Sequence, residues 1–271
     1  MSDKDPVRPA VRAPVYGGRF MVVTGHMAAS VAALNAQARG GNVVDAAIAA
    51  SAALAAVVGQ ATTIGGDCFV LYHDAGSGKT HGLNACGVAP AAAVPDRFPD
   101  GMKVLGPLAC VVPGLVAAWD ALHRAYGSLS WSELLDDAIW IADGHPVSFI
   151  LASRYGDAKE ALAADPGCAG VFLPGGQPVA SGQTLHQPAL ARTLKIISED
   201  GAGAFYHGEI AAKIAAGFER AGGLITAADL AAYQPMWVEP MSTAYRGHRV
   251  SVMPPNSCGG LLLMQLDGLS A

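Results

Sequence analysis

The hydrophobic positions of this chain fall into helical and strand-like segments separated by turn residues. Phe20–Thr24 (FMVVT) is a short β-prone run that reads as a strand ending at Gly25. Ala28–Arg39 reads as a helix stopped by Gly40-Gly41. Asn42 is placed to cap a second helix over Val43–Val58, ended by Gly59. Together they predict a helical hairpin. Cys68–His73 and Thr80–Ala85 are strand-like and flank the turn-rich DAGSGK, which predicts a β-hairpin. Pro113 suits a first helical position, so a helix is expected from there to about Tyr126. Ser130, with Glu133 three residues on, makes a capping box for a helix ending near Gly144. Further helices are expected over Ser148–Ala164, Pro188–Glu199 and Glu209–Ala221, and a short one opening at Thr226 with Asp229 three on. Residues 170–186 read as loop. Met241–Tyr245 and Arg249–Met253 flank Arg246-Gly247-His248 as a second hairpin, broken by Pro254-Pro255-Asn256, and a last apolar helix starts near Ser257. The pattern is that of a helix-rich α+β chain in which residues 1–18, rich in proline and without an apolar run, form an extended arm.

Composition narrows the classes. Apolar residues reach 52% and charged residues only 14%, which excludes disorder. Much of the apolar content is alanine, and the run Ala46–Val58 is shorter than the roughly 20 residues of a membrane span. A tightly packed buried helix is expected there, and no membrane association. The net charge of −5 and the lack of a Lys/Arg run argue against nucleic acid as a partner. Five cysteines are too few, and odd in number, for a disulfide framework. No signal peptide is visible, so reduced thiols and a cytoplasmic location are expected.

Local motifs carry little chemistry. Gly76-Ser77-Gly78-Lys79-Thr80 resembles the tail of a phosphate loop, but His73 stands where the first glycine is required and a strand follows, so a lysine-bearing hairpin tip is expected. Gly65-Gly66-Asp67 precedes a strand; its glycines suit either close approach of a ligand or tight packing at the strand entry. Cys258 lies at a helix start, where a thiolate gains from the helix field, and it also fits a small structural residue. The eight histidines are dispersed, and neither HExxH nor Gly-x-Ser-x-Gly occurs, so no metal or cofactor is expected.

The long pattern says more. GGNVVDAAIAASAALAAVV, TIGGDCFVLYHD and VPGLVAAWDALHRAYG are followed by Gly144-His145-Pro146-Val147-Ser148 and Ala204-Phe205-Tyr206-His207-Gly208-Glu209. Then come Gly222-Gly223-Leu224-Ile225-Thr226, Asp229-Leu230-Ala231-Ala232-Tyr233, Tyr245-Arg246-Gly247 and Met253-Pro254-Pro255-Asn256-Ser257-Cys258-Gly259-Gly260. In this order and spacing they resemble the γ-glutamyltransferase family of N-terminal-nucleophile hydrolases. The resemblance implies an αββα sandwich whose sheets come from two subunits cut from one precursor. It implies a catalytic N-terminal threonine on the small subunit, acting as nucleophile with its own α-amine as base. Residues 19–271 then correspond to an incomplete large subunit, ending before the processing site, with no catalytic residue of their own. The expected partner is a small-subunit-like polypeptide carrying the threonine, and the expected substrate a small-molecule amide.

The family's large subunit carries an arginine that clamps the substrate α-carboxylate with its guanidinium fork. Here that segment reads Leu83-Asn84-Ala85-Cys86-Gly87-Val88, with Cys86 at the arginine's position. A thiol has no charge and one weak donor. This variant is closer to the amidohydrolase and acylase branch. The residues expected to wall the substrate pocket are Asn84, Cys86, Gly87 and Val88, with Gly65 and Gly66. Two alternatives stand beside this reading. One is an inactive homologue or binding subunit with an exposed Leu-Leu-Leu-Met-Gln-Leu helix; the other is a cysteine hydrolase acting through Cys258 or Cys68.

Overall fold

A computed structural model of the chain describes residues 14–270; most of the expected N-terminal arm lies outside them. The helical hairpin forms as α1 (Met27–Ala38) and α2 (Val43–Val57). Asn42 caps α2 in a capping box with Asp45. The contact is made by alanines: Ala29, Ala32, Ala33 and Ala36 on α1, and Ala46, Ala49, Ala50, Ala52, Ala53 and Ala56 on α2, are buried. Methyl side chains let the two backbones approach closely, and α2 is buried nearly all round, as an apolar helix must be.

Asp45, fully buried, locks this hairpin to the next layer. Its carboxylate accepts hydrogen bonds from the Ser128 and Leu129 amides, the Ser128 hydroxyl and the Asn42 amide. Burial pushes its pKa up, but the donors from Ser128, Asn42 and Leu129 together outweigh this and hold it below the ordinary carboxylate value.

Strands β1 (Cys68–Asp74) and β2 (Lys79–Ala85) pair antiparallel, from Cys68 opposite Ala85 to Asp74 opposite Lys79. The tip is the expected lysine-bearing turn, with the Asp74 carboxylate accepting from the Gly76 and Ser77 amides and Gly78 at φ +68°. The next helix, α3 (Leu115–Tyr126), begins two residues later than Pro113 suggested. The Pro113 carbonyl is taken by the Tyr206 hydroxyl, and the Gly114 and Leu115 amides donate to Gly66, which sets the helix start. Ser130 and Glu133 make their hydrogen bonds, but around a 3₁₀ turn over Ser132–Leu134; the α-helix α4 starts at Asp136 and ends at Asp143.

After β3 (His145–Pro146), the expected single helix over Ser148–Ala164 divides into α5 (Phe149–Asp157), capped by Ser148, and α6 (Lys159–Ala163), with the Ala158 amide turning back to Arg154 and Gly156. The stretch 170–186 is not all loop. Asp165 caps α7 (Pro166–Phe172), with Pro166 in the first turn, and β4 (Thr184–Leu185) pairs with β3. Then follow α8 (Pro188–Asp200), the unforeseen α9 (Gly203–His207), α10 (Glu209–Arg220) and α11 (Ala227–Ala232), the last with its Thr226–Asp229 capping box.

The sheet gains a third strand that the pattern did not announce. β5 (Met236–Val238) pairs with β2, giving the order β1-β2-β5. β6 (Met241–Tyr245) and β7 (His248–Val252) form the second hairpin, and α12 (Gly259–Ser270) packs on it. Phe20–Thr24 forms no strand: Val23 is exposed, and no described strand pairs with it. The architecture is therefore α+β and helix-rich. Among the described residues no helix is long and apolar enough to cross a membrane.

His145 on β3, opposite Leu185 of β4, is buried, 4% exposed. Its Nδ1–H donates to the Ile141 carbonyl, and Nε2 has no partner among the described residues. Burial depresses its pKa below the ordinary 6.5, only partly offset by the Ile141 bond. Between the depressed folded value and 6.5 the unfolded chain binds a proton that the folded chain refuses, so stability falls as pH drops through that window. The expected slope from this one site is at most about 1.4 kcal/mol per pH unit. Urea unfolding at pH 7 and pH 5 checks it, and His145→Gln should flatten the dependence.

Candidate functional site

Four segments converge at the end of the sheet: Gly66-Asp67 before β1, 84–88 at the end of β2, 112–115 at the entry to α3, and Asn256 beyond β7. The Gly66 carbonyl accepts the Gly114 and Leu115 amides, both at 2.9 Å. Gly114 admits no side chain, because a Cβ there would fall on the Ala85 carbonyl oxygen and the Tyr233 hydroxyl. Gly87 is closed in the same way by Val111 and the Val112 carbonyl. These close approaches bring the two loops together.

The side chains then interlock. Asn84, 7% exposed, accepts the Cys86 amide at its Oδ1 (3.0 Å), and its Nδ2 donates to Asn256 Oδ1 (2.9 Å). Asp67 Oδ2 accepts from the Cys86 thiol (3.0 Å) and the Gly87 amide (3.3 Å). The Tyr233 hydroxyl donates to the Cys86 carbonyl (3.1 Å), and the Val112 amide donates to the Val88 carbonyl (2.9 Å). Tyr233 stacks on Tyr206, at 6.0 Å and 15°.

The structure thus gathers Asn84, Cys86, Gly87, Val88 and Gly66 into one wall. Gly66 serves it through its carbonyl, and its missing side chain avoids crowding Thr63. Gly65 does not join the wall. It lies exposed at the mouth of a separate cleft of about 500 Å³ walled by α8 and α10, with Arg192, Glu209 and Lys213 at its edge. Asp67, Gly114, Tyr233 and Asn256 complete the wall. Each stood inside a recognisable sequence block, but only the tertiary contacts single them out.

The electrostatics decide what the thiols do. Burial, together with the hydrogen bond to Asp67 and its negative charge, pushes the Cys86 thiol up. Burial and Asp67 push Cys68 up to about 12. Both are protonated at neutral pH, and neither is an activated nucleophile. Cys258 is exposed beside the first turn of α12, and its thiol makes no hydrogen bond to a histidine among the described residues. Among those residues no group of three or more metal-ligating side chains forms. The wall offers hydrogen bonds and one carboxylate, and no activated thiol.

This arrangement of sheet, helical layer and wall is a helix-rich α+β scaffold of the N-terminal-nucleophile hydrolase fold. The chain belongs to the gamma-glutamyltranspeptidase family, whose model matches residues 29–271. It is 35% identical to the glutathione hydrolase proenzyme of Pseudomonas sp. (strain A14), over 96% of this chain and 47% of that one. It is 33% identical to the acylase ACY 1 proenzyme of Pseudomonas sp. (strain V22), over 93% and 48%. It superposes on the crystal structure of Helicobacter pylori gamma-glutamyltranspeptidase with a TM-score of 0.89 at 33% identity, covering 93% of this chain and 75% of that one. The chain spans about half the length of the curated relatives it matches.

Two measurements check the geometry. Gly114→Ala should lower stability by about 3 kcal/mol in urea unfolding, because the packed backbone cannot yield to the added methyl. Iodoacetamide at pH 7 should label Cys258, which is exposed, well before Cys68, whose thiol burial pushes up to about 12, and before Cys86, which is held by Asp67. Faster labelling of Cys86 would contradict its bond to Asp67.

Proposed function

We propose that this chain is the large-subunit portion of an amidohydrolase or acyltransferase. It cleaves or transfers the acyl group of a small-molecule amide through an acyl-threonine intermediate. The threonine hydroxyl attacks the amide carbon; the α-amine takes its proton and passes it to the departing amine; water or an acceptor amine then releases the acyl group. The threonine comes from the small-subunit portion. This chain supplies the pocket wall of Asn84, Cys86, Gly87 and Val88.

The observation that carries the reading is this wall, with hydrogen-bonding groups and no activated thiol, set in a fold shared with a gamma-glutamyltranspeptidase. The proenzyme names of the relatives and the half-length match to them support a second portion. So does β1, an edge strand whose Phe69 and Leu71 are exposed: open edges and half-exposed apolar rows call for a neighbour. Leu261, Leu262 and Met264 on α12 add to the uncovered apolar surface. A cytoplasmic location belongs to the same reading, supported by five free thiols.

The test is isolation of the protein from its native source, with intact mass and N-terminal sequencing of every polypeptide that travels with it. A partner beginning with threonine, acylated there when an amide substrate is trapped, is the expected result. The 271-residue chain alone should hydrolyse no anilide. Turnover by that chain surviving stringent purification would refute the assignment.

A further inference from the structure

The charge of the wall bears on which acyl groups it takes, given the reading above that residues 84–88 line the acyl pocket. Recognition of a carboxylate calls for a cation or several free donors. The wall has no cation, and its one spare side-chain donor is the Asn256 amide nitrogen beside the Cys86 thiol. Asn84 is committed at both ends, to the Cys86 amide and to Asn256. The Cys86 thiol is committed to Asp67, and so is the Gly87 amide.

The one charged side chain is Asp67. It is exposed and forms no ion pair among the described residues. Two donors on Oδ2 fix its carboxylate, and Oδ1 accepts no hydrogen bond from the described residues. A substrate carboxylate brought to this wall meets a like charge and no cation to offset it. A substrate ammonium meets a fixed, open acceptor of opposite charge.

We propose that the acyl pocket takes acyl chains ending in a cationic hydrogen-bond donor and rejects those ending in a carboxylate, with Asp67 as the specificity-determining residue. The γ-glutamyl group carries both charges on its terminal carbon. Removing its carboxylate gives 4-aminobutyryl; removing its ammonium gives glutaryl. The pocket therefore ranks 4-aminobutyryl above γ-glutamyl, and γ-glutamyl above glutaryl.

The test uses the enzyme with both of its portions and the p-nitroanilides of these three acids, with the butyryl anilide as an uncharged control. The 4-aminobutyryl anilide should exceed the γ-glutamyl anilide in kcat/KM by about tenfold or more, as one charge-assisted contact allows. Asp67→Asn should erase that preference, bringing the ratio of kcat/KM for the 4-aminobutyryl and butyryl anilides toward one. The substrate series needs no variant, so a misfolded Asp67→Asn protein leaves the test standing. Preference for the glutaryl or γ-glutamyl anilide, or for the butyryl control over 4-aminobutyryl, overturns the proposal. If no anilide is cleaved, the amidohydrolase reading itself fails. Calorimetric titration with 4-aminobutyramide then decides the pocket: binding with no counterpart for glutaramate sustains it, and no binding overturns it.

Discussion

Everything at the site hangs on the close approach at Gly114. There the first turn of α3 lies against the last residue of β2, near enough that no side chain fits between the Ala85 carbonyl and the Tyr233 hydroxyl. The same turn spends its first two amides on Gly66, so an otherwise unsatisfied helix terminus holds the loop that enters β1. One contact thereby fixes three segments remote in sequence. Asp67, Asn84 and Cys86 come into register because their backbones have nowhere else to go. The stacked Tyr206 and Tyr233 seal the back of this junction and satisfy the Pro113 and Cys86 carbonyls.

Behind it stands the alanine-faced hairpin of α1 and α2. Alanine buries little area per residue, and its value lies in the short interhelical distance it allows. That distance lets α2 serve as a central rod, contacted by α1, α3 and α4. Larger anchors come from the surrounding elements, such as Trp119, whose indole N–H reaches Ser51 on α2, and Gln187, which reaches the Ala56 carbonyl. The buried Asp45 closes this layer with donors rather than with a counter-ion, which avoids an unpaired buried charge.

Family and substrate separate cleanly in this chain. The scaffold is shared with proteins named as glutathione hydrolases and as acylases, and a scaffold does not choose an acyl group. On the proposed reading, the choice falls to a few side chains at the end of β2. A thiol held protonated by burial and a neighbouring carboxylate presents a surface unlike that of a guanidinium fork.

Helices with strong stops, the two hairpins, the cap at Asn42 and the Thr226–Asp229 start of α11 were legible in the sequence, because each rests on interactions between near neighbours. So was the family, since its blocks recur in order. The candidate wall was half legible: Asn84, Cys86, Gly87, Val88 and Gly66 were named through likeness to the family and lie together, Gly65 was named and lies apart, and the parts played by Asp67, Asn256, Gly114 and Tyr233 were not foreseen. The three-residue β5, the division of the helix at Ala158 and the later start of α3 were not legible either. The failure of Phe20–Thr24 to form a strand belongs with them. A strand needs a partner and a helix start needs somewhere to send its free amides, and these are supplied by residues far away in the chain. The sequence by itself determined the local elements and the kind of scaffold. Only the tertiary structure decided which polar groups meet, and with that the charge of the wall, because charge and hydrogen bonding at a site are set by neighbours that only folding brings within reach.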